Sequence, residues 1–288
     1  MSVRQLAIVL LTSLALAPIA GAQELYGTLA KIRDSGQIAI GHREASVPFS
    51  YRNEAGEIEG YSVDLCRRIV DSVREELGLD ELAVEMVTVN PATRIPRLVD
   101  GTIDIECGST TDNLSRQEQV DFSHITFITG TRLLVKADSG IEGIEDLDGK
   151  RIAVTSGTTN QAVIDAIAQE SELEVELVPV ADHGDGFELL ERGEVDAYST
   201  DHILLHGLIS KADDPDAYAV VGRFLSYDPY ALMVRRDDSA FRLVVNRTLS
   251  RLYRSGEIFT IYEKWFDPMG VPTNVLLEAA FAIQALPE

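Results

Sequence analysis

Apolar residues recur along the chain with two different periods. The clearest stretch is residues 62–77, which has one apolar face at helical spacing and a glycine stop at Gly78. The members of that face are Cys66, Ile69, Val70, Val73 and Leu77. Short runs such as residues 103–106 alternate apolar and polar positions, as strands do. Strands that alternate with amphipathic helices predict an α/β fold with helix-covered, mostly parallel sheets.

The alternation of strands and helices occurs twice and predicts two lobes. In its first occurrence the predicted strands are residues 37–41, 82–89 and 103–106, and the predicted helices are residues 26–35, 62–77 and 95–99. In its second occurrence the predicted strands are residues 151–154, 175–180 and 195–199, and the predicted helices are residues 160–169, 186–192 and a segment after Asp201. Residues 131–136 and 230–235 have similar strand patterns, which suggests that the chain enters the second lobe and returns.

These two crossings define the predicted domains. They are a signal peptide at 1–22, a first lobe at 23–133 plus 231–267, a second lobe at 134–230 and a C-terminal tail at 268–288. Helices at 240–255 and 258–266 complete the first lobe, and the tail contains an apolar helix at 275–286. That helix either packs on a lobe surface or binds a partner, and the sequence leaves both alternatives open.

The first 22 residues have the three parts of a secretory signal peptide. Arg4 supplies a positive charge, residues 6–16 form an apolar core, and residues 20–22 (Ala-Gly-Ala) form a small-residue cleavage site. The apolar run is shorter than the ~20 residues that a membrane-spanning helix needs. We therefore expect cleavage after Ala22 and export of a soluble protein to the periplasm.

Charge excludes two classes of partner. The formal net charge of the 288 residues is −22. Nucleic acids and anionic membranes both require a surplus of Lys and Arg, which this chain lacks. An anionic ligand would need a local cluster of positive side chains, because the field of the whole protein repels it and is screened only beyond about 8 Å.

Cys66 and Cys107 are the only cysteines. Cys66 lies on the apolar face of a predicted helix, and Cys107 ends a predicted strand. In an oxidising compartment a helix packed on the sheet could bring the two thiols together as a disulfide. Two separately buried thiols fit the sequence equally well.

Residues 103–116 (IDIECGSTTDNLSR) have the parts of a carboxylate site. A strand ends at the hydroxyl residues Ser109, Thr110 and Thr111, and Arg116 follows after a segment with helix-starting character. Hydroxyl and backbone N–H groups bind carboxylate oxygens, and a guanidinium supplies a planar pair of donors. A strand followed by a capped turn is the alternative interpretation.

Other predicted strands also end at polar side chains. The complete set is Arg43, Arg94 after a short linker, residues 109–111, residues 155–159, His183 and Asp201. Ligands of open α/β sheets bind beyond the carboxyl ends of the strands. Because the set is divided between two lobes, it predicts a cleft for a ligand with more than one negative group and one positive group.

Other motifs of the chain could indicate nucleotide binding, metal binding or nucleophilic catalysis. Residues 155–159 (TSGTT) lack the Gly-Lys-Ser/Thr end of a phosphate loop, and Thr158 with Gln161 predicts a helix capping box instead. His202 and His206 have a zinc-compatible spacing but no evident third ligand, so no metal site is expected. No nucleophile motif is evident, and no cofactor is expected.

The motifs resemble those of the periplasmic glutamate/aspartate-binding proteins, which belong to the polar amino acid solute-binding proteins of ABC importers. The matching segments are GHRE-x-S-VPFSY at 41–51, GYSVDLC at 60–66, TRIPRL at 93–98, ECGSTTDN-x-x-RQ at 106–117, GTRLLVK at 130–136, TSGTT at 155–159 and DHGD-x-F at 182–187. The likeness extends from residue 36 to about residue 265. It implies two α/β lobes, joined by two hinge strands, that close on the ligand.

The resemblance also implies a role for each candidate residue. Arg116, Ser109 and Thr111 would hold the α-carboxylate, and Asp201 would hold the α-ammonium. The groups around the side-chain carboxylate would be Arg43, Arg94, Thr159 and His183. The chain departs from the family pattern at Pro91, where relatives often have serine, and at His202. Either departure could alter the preference among glutamate, aspartate and their amides.

Together with the predicted cleft, this resemblance implies a monomeric extracytoplasmic receptor that delivers acidic amino acids to a membrane ABC permease. The alternative is a periplasmic lyase or dehydratase on the same two-lobed scaffold, in which Asp182 and His183 would move protons. A sensory receptor that docks on a different membrane partner is a third interpretation.

Overall fold

The computed structural model describes residues 25–288, so the predicted signal peptide lies outside the described residues. The strands are β1 (Gln37–His42), β2 (Ala45–Ser46), β3 (Ser50–Arg52), β4 (Ile58–Glu59), β5 (Ala83–Thr88), β6 (Ile105–Glu106), β7 (Val120–Thr129), β8 (Thr131–Lys136), β9 (Arg151–Thr155), β10 (Glu176–Val180), β11 (Ala197–Asp201), β12 (Tyr218–Val221) and β13 (Asp228–Arg235). The helices are α1 (Gly27–Ser35), α2 (Tyr61–Glu76), α3 (Arg94–Val99), α4 (Leu114–Gln117), α5 (Thr159–Glu170), α6 (His183–Glu191), α7 (His202–Ile209), α8 (Ser239–Ser255), α9 (Glu257–Phe266) and α10 (Val275–Gln284). Within this range no helix has both the length and the apolar character that a bilayer crossing demands.

Two five-stranded sheets form the two lobes. The first sheet has the order β5-β1-β6-β13-β7, and the second has the order β10-β9-β11-β8-β12. In each sheet three neighbouring strands are parallel. The next strand, β13 in the first sheet and β8 in the second, runs antiparallel to both of its neighbours, so the edge strands β7 and β12 have the direction of the parallel three. The predicted two-lobed α/β fold is confirmed. The sheets are more mixed than expected, because the strands that join the lobes run antiparallel to their neighbours.

The chain crosses between the lobes at two adjacent places. β7 ends at Thr129 in the first sheet, and β8 begins at Thr131 in the second. A side chain on the intervening Gly130 would approach the carbonyl oxygen of Ser226 to 2.2 Å, so only glycine fits there. The return runs from β12 to β13, and the Thr131 N–H donates to Ser226 Oγ at 2.9 Å between the two crossings.

The predicted lobe boundaries, after residues 133 and 230, fall inside β8 and β13 rather than at their starts. The strand β7 was not predicted at all. Its pattern is irregular because its pairing with β13 shifts register twice, so inward and outward positions do not alternate cleanly.

The first lobe contains the larger apolar core. Helices α2, α8 and α9 pack around it, and Cys66, Ile69 and Val73 on the predicted face of α2 are fully buried. Cys66 forms a disulfide with Cys107, which fastens α2 to the end of β6. That bond lies directly before the residues that continue toward the cleft.

The C-terminal tail packs on the first lobe. Helix α10 contacts α8 and β7, and its residues Leu277 and Phe281 are buried. The Phe281 ring stacks on Tyr253 with 4.8 Å between ring centroids. Of the two alternatives for the tail, the structure shows packing on a lobe.

Candidate functional site

A small cavity lies between the two lobes. It is lined by all eight residues that were predicted from the sequence to contact the ligand: Arg43, Arg94, Ser109, Thr111, Arg116, Thr159, His183 and Asp201. Thr158, Asn160 and Leu204 complete the lining. Larger grooves exist on the outer surface of the first lobe. We place the candidate site in the smaller cavity because buried charged groups of both lobes converge there.

Three arginines form the wall contributed by the first lobe. Arg43 follows β1, Arg94 begins α3, and Arg116 lies in α4, which Asn113 caps by accepting from the Arg116 N–H at 2.9 Å. Their relative exposures are 0%, 2% and 8%. Arginine is rarely buried to this degree, so three such groups around one cavity concentrate positive charge there.

Each guanidinium donates to at least one neighbouring group, and those of Arg43 and Arg94 keep further donors without a partner in the described chain. Arg94 Nη1 donates to the Ser109 carbonyl at 3.2 Å, and Arg116 Nη1 donates to the Thr111 carbonyl at 2.7 Å. Arg43 Nη2 donates to Asp182 of the second lobe. Arg43 Nε and Nη1, Arg94 Nε and Ser109 Oγ are buried without a hydrogen-bond partner among residues 25–288. Buried donors without acceptors are costly, so these four atoms are available to an anion.

Burial in this cluster lowers the pKa of two of the guanidinium groups. Burial, followed by the charges of Arg116 and Arg43, lowers the pKa of Arg94 to about 9. Burial also lowers the pKa of Arg116, although the nearby Glu106 carboxylate opposes the shift. With a pKa of about 9, the Arg94 guanidinium remains charged at neutral pH. A bound carboxylate would relieve the mutual repulsion of the guanidinium groups.

The second lobe contributes the start of helix α5 to the cavity wall. Thr158 caps α5 by accepting from the Gln161 N–H at 3.3 Å. The predicted capping box is only half formed, because the Gln161 side chain accepts from the Gly157 N–H at 3.4 Å instead of from Thr158. Thr159, the first residue of α5, donates from its hydroxyl to Asp228 Oδ1 at 2.9 Å.

His183 is the first residue of α6, which begins three residues before the predicted helix at 186–192. Its Nδ1 lies 2.8 Å from the Tyr198 hydroxyl and 3.3 Å from Thr155 Oγ1. Burial, followed by the charge of Arg43, lowers the pKa of His183 to about 3. The imidazole is therefore neutral at physiological pH. It can offer a hydrogen bond to a ligand without adding a charge.

Asp201 ends β11 and supplies the acidic group of the second lobe. Its Oδ1 accepts from Asn160 Nδ2 at 3.0 Å, and its Oδ2 accepts from the Tyr230 hydroxyl of the first lobe. Burial, followed by the Asp228 carboxylate, raises the pKa of Asp201 to about 7. A cation bound here would stabilise the ionised form.

Sequence reasoning missed Asp228. This residue is 2% exposed, and its Oδ1 accepts from Thr111 of the first lobe at 3.1 Å and from Thr159 of the second lobe at 2.9 Å. It begins the return strand β13, whereas the sequence pattern started that strand at Tyr230. An acid before Pro229 at the start of a crossing strand was the only available signal.

The remaining candidates do not join the cavity. His202 and His206 face each other with 3.1 Å between their Nε2 atoms, next to Phe224 on the second lobe. Across the described chain no group of three or more His, Cys, Asp or Glu side chains is arranged to hold a metal ion.

Known proteins resemble this chain over most of its length. Residues 38–268 match the family model described as bacterial extracellular solute-binding proteins, family 3. The L-glutamate/L-aspartate-binding protein of Pseudomonas aeruginosa is 44% identical over 258 residues, which cover 88% of this chain and 85% of the relative. The glutamate/aspartate import solute-binding protein of Salmonella typhimurium is 40% identical over 255 residues, 88% of this chain and 84% of the relative.

A solved structure supports the same fold. The crystal structure of a mutant of ArgBP from T. maritima has a TM-score of 0.73 and 28% identity to this chain. The match covers 83% of this chain and 99% of the solved one.

Proposed function

The chain belongs to family 3 of the bacterial extracellular solute-binding proteins, and from this premise we propose that it captures L-glutamate and L-aspartate between its lobes. Family membership confirms the resemblance predicted from the sequence and the expectation of a binding protein rather than an enzyme. The names of both relatives described above contain the acidic pair.

One observation carries this choice of ligand. Three buried arginines of the first lobe and one buried carboxylate, Asp201, line the same cavity. An acidic amino acid carries two carboxylates and one ammonium, so its charges complement that arrangement. A neutral amino acid would leave part of the arginine cluster unpaired, at a cost of about 1–3 kcal/mol for each charged hydrogen bond lost.

The ligand would lie between the lobes with each charged group on a different part of the wall. Arg116, Ser109 and Thr111 hold the α-carboxylate, and Asp201 takes the α-ammonium. The groups around the side-chain carboxylate are Arg43, Arg94, Thr159 and His183. The neutral state of His183 suits this arrangement. A charged imidazole would repel Arg43 and Arg94, whereas the neutral ring can still form a hydrogen bond with the ligand.

Binding at this position would couple to closure. The ligand contacts groups of both lobes at once, so it stabilises the closed arrangement relative to an open one. The closed form is then the state that we expect a membrane ABC permease to receive. The same proposal places the mature protein in the periplasm as a monomer, after removal of the signal peptide behind Ala22.

Calorimetric titration of refolded protein, freed of any copurified ligand, tests the proposal. We expect one-to-one binding of L-glutamate and L-aspartate with sub-micromolar Kd, weaker binding of L-glutamine and none of L-arginine. Equal affinity for glutamine would contradict a cationic side-chain pocket. Failure to bind any of the four would refute the proposed ligand class.

A further inference from the structure

We propose that Asp182 is a positioning residue that sets how strongly the side-chain pocket prefers a carboxylate over a carboxamide, and that it does so through Arg43. This inference rests on the proposed function, since it concerns the pocket for the ligand side chain. Asp182 was part of a sequence motif but was not among the predicted contacts.

Asp182 and Arg43 form an ion pair across the cleft. Asp182 lies before α6 in the second lobe, and Arg43 follows β1 in the first. The Arg43 side chain is completely buried and the Asp182 side chain is 18% exposed. Among the ion pairs of residues 25–288, no other joins the two lobes.

The same carboxylate oxygen also fixes the second group of the pocket. Asp182 Oδ1 accepts from the His183 N–H at 2.7 Å and thereby caps α6. The Asp182 N–H in turn donates to Asp185 Oδ2 at 3.0 Å. One carboxylate therefore holds Arg43 and the start of the helix that presents His183.

Asp182 reduces the electrostatic attraction between Arg43 and an anionic ligand. Burial opposes ionisation of Asp182, but the charge of Arg43 and the contacts of His183 outweigh it and lower the pKa, so the carboxylate is ionised at neutral pH. It neutralises part of the Arg43 charge and occupies Nη2, which leaves Nε and Nη1 as the unpartnered donors. It also repels a ligand carboxylate directly. A neutral carboxamide is not repelled in this way. Asp182 therefore reduces the difference in binding affinity between a ligand with a side-chain carboxylate and one with a side-chain carboxamide.

Asp182→Asn removes the charge and keeps the shape. Asparagine is an equally good helix cap, and its Oδ1 can still accept from Arg43. We expect the ratio of Kd for L-glutamine to Kd for L-glutamate, measured by calorimetry with competition for the weaker ligand, to rise about tenfold. The ratio is the chosen readout because loss of the cross-cleft pair would weaken closure on both ligands alike.

Asp185→Asn is the matched control. Asp185 belongs to the same helix start but forms no ion pair within the described chain, so removing its charge should leave the ratio within about twofold of the wild-type value. If Asp182→Asn does not fold, as judged by circular dichroism, Asp182→Ser keeps a capping hydroxyl and should raise the ratio in the same direction.

An unchanged or lower ratio in the folded Asp182 variant would overturn the inference, as would an equal rise in the Asp185 variant. A wild-type protein that binds neither glutamate nor glutamine would instead overturn the proposed function. The two failures are thus distinguishable in a single set of titrations.

Discussion

The side chain of Gln284 hydrogen-bonds both backbone groups of Ile125. Its Oε1 accepts from the Ile125 N–H at 2.7 Å, and its Nε2 donates to the Ile125 carbonyl at 3.1 Å. Ile125 lies in β7 where the pairing with β13 shifts register, so its backbone cannot follow a regular ladder. The tail helix α10 thereby completes the strand that continues directly into the first crossing between the lobes. The family model ends at residue 268, before this helix begins.

Gln284→Ala should therefore destabilise the first lobe. It leaves the Ile125 N–H without its partner, which costs about 1–3 kcal/mol when the group remains shielded from water. Urea unfolding monitored by circular dichroism measures the change. Ile283→Ala is the neighbouring control, because Ile283 is 77% exposed and should lose less than about 0.5 kcal/mol. Equal losses in the two variants would contradict a specific role for the glutamine.

Much of this fold is predictable from the local spacing of apolar residues, but strand β7 is not. The face of α2 follows a single regular period, so Cys66, Ile69 and Val73 were correctly predicted to be buried. β7 instead contains Ser123 and His124 where its register shifts. Their hydrogen bonds to residues distant in sequence cannot be read from a period.

Some residues of the candidate site could likewise be predicted from the sequence and others could not. The residues that line the cavity stand at strand ends or helix starts, where sequence position alone implies proximity to a cleft. Asp228 and Asp182 were missed because their roles depend on partners in the opposite lobe. Asp228 accepts a hydrogen bond from Thr159, and Asp182 pairs with Arg43. Both contacts require the two lobes to be close together.

Arg116→Ala should raise the Kd for L-glutamate at least about hundredfold. The variant removes two or more charge-assisted hydrogen bonds from a buried carboxylate, each worth about 1.5–3 kcal/mol. Calorimetric titration measures the loss. Arg33→Ala on the exposed surface of α1 is the control for removing one positive charge, and its affinity should equal that of the wild type. Wild-type affinity in the Arg116 variant would refute the role proposed for this arginine.

Replacing both Cys66 and Cys107 by serine should lower the free energy of unfolding by about 4 kcal/mol. The estimate follows from the entropy of an unfolded chain in which the bond spans 41 residues. Guanidinium unfolding of the oxidised wild type and the double variant provides the comparison. Dithiothreitol should destabilise the wild type toward the level of the variant and leave the variant unchanged. A variant as stable as the oxidised protein would contradict the prediction.

Binding of an amino acid should release protons near pH 6. Asp201 has a pKa of about 7 without ligand, and the ligand ammonium favours the ionised form. Affinity should fall as the pH is lowered from 8 to 5, and calorimetry in buffers of different ionisation enthalpy should detect up to about one proton released at pH 6 and almost none at pH 8.5. Burial lowers the pKa of each of the five histidines, so they carry fewer protons at pH 6 than free imidazoles would. Affinity that is independent of pH over this range would contradict the role of Asp201.

The same residue links function to stability with a definite sign. The folded pKa of Asp201 lies above the unfolded value of 3.8, so its contribution to stability is fully present below about pH 4 and is lost as the pH rises through 7. Asp201→Asn cannot ionise. It should therefore raise the free energy of unfolding of the ligand-free protein more at pH 8 than at pH 5, while it abolishes binding of amino acids. Unfolding curves of the variant and the wild type at the two pH values isolate this term, because the histidines contribute equally to both proteins. An equal effect at both pH values would show that folding does not raise the pKa of Asp201, and would contradict the proposal that a bound cationic group is needed to stabilise its ionised form.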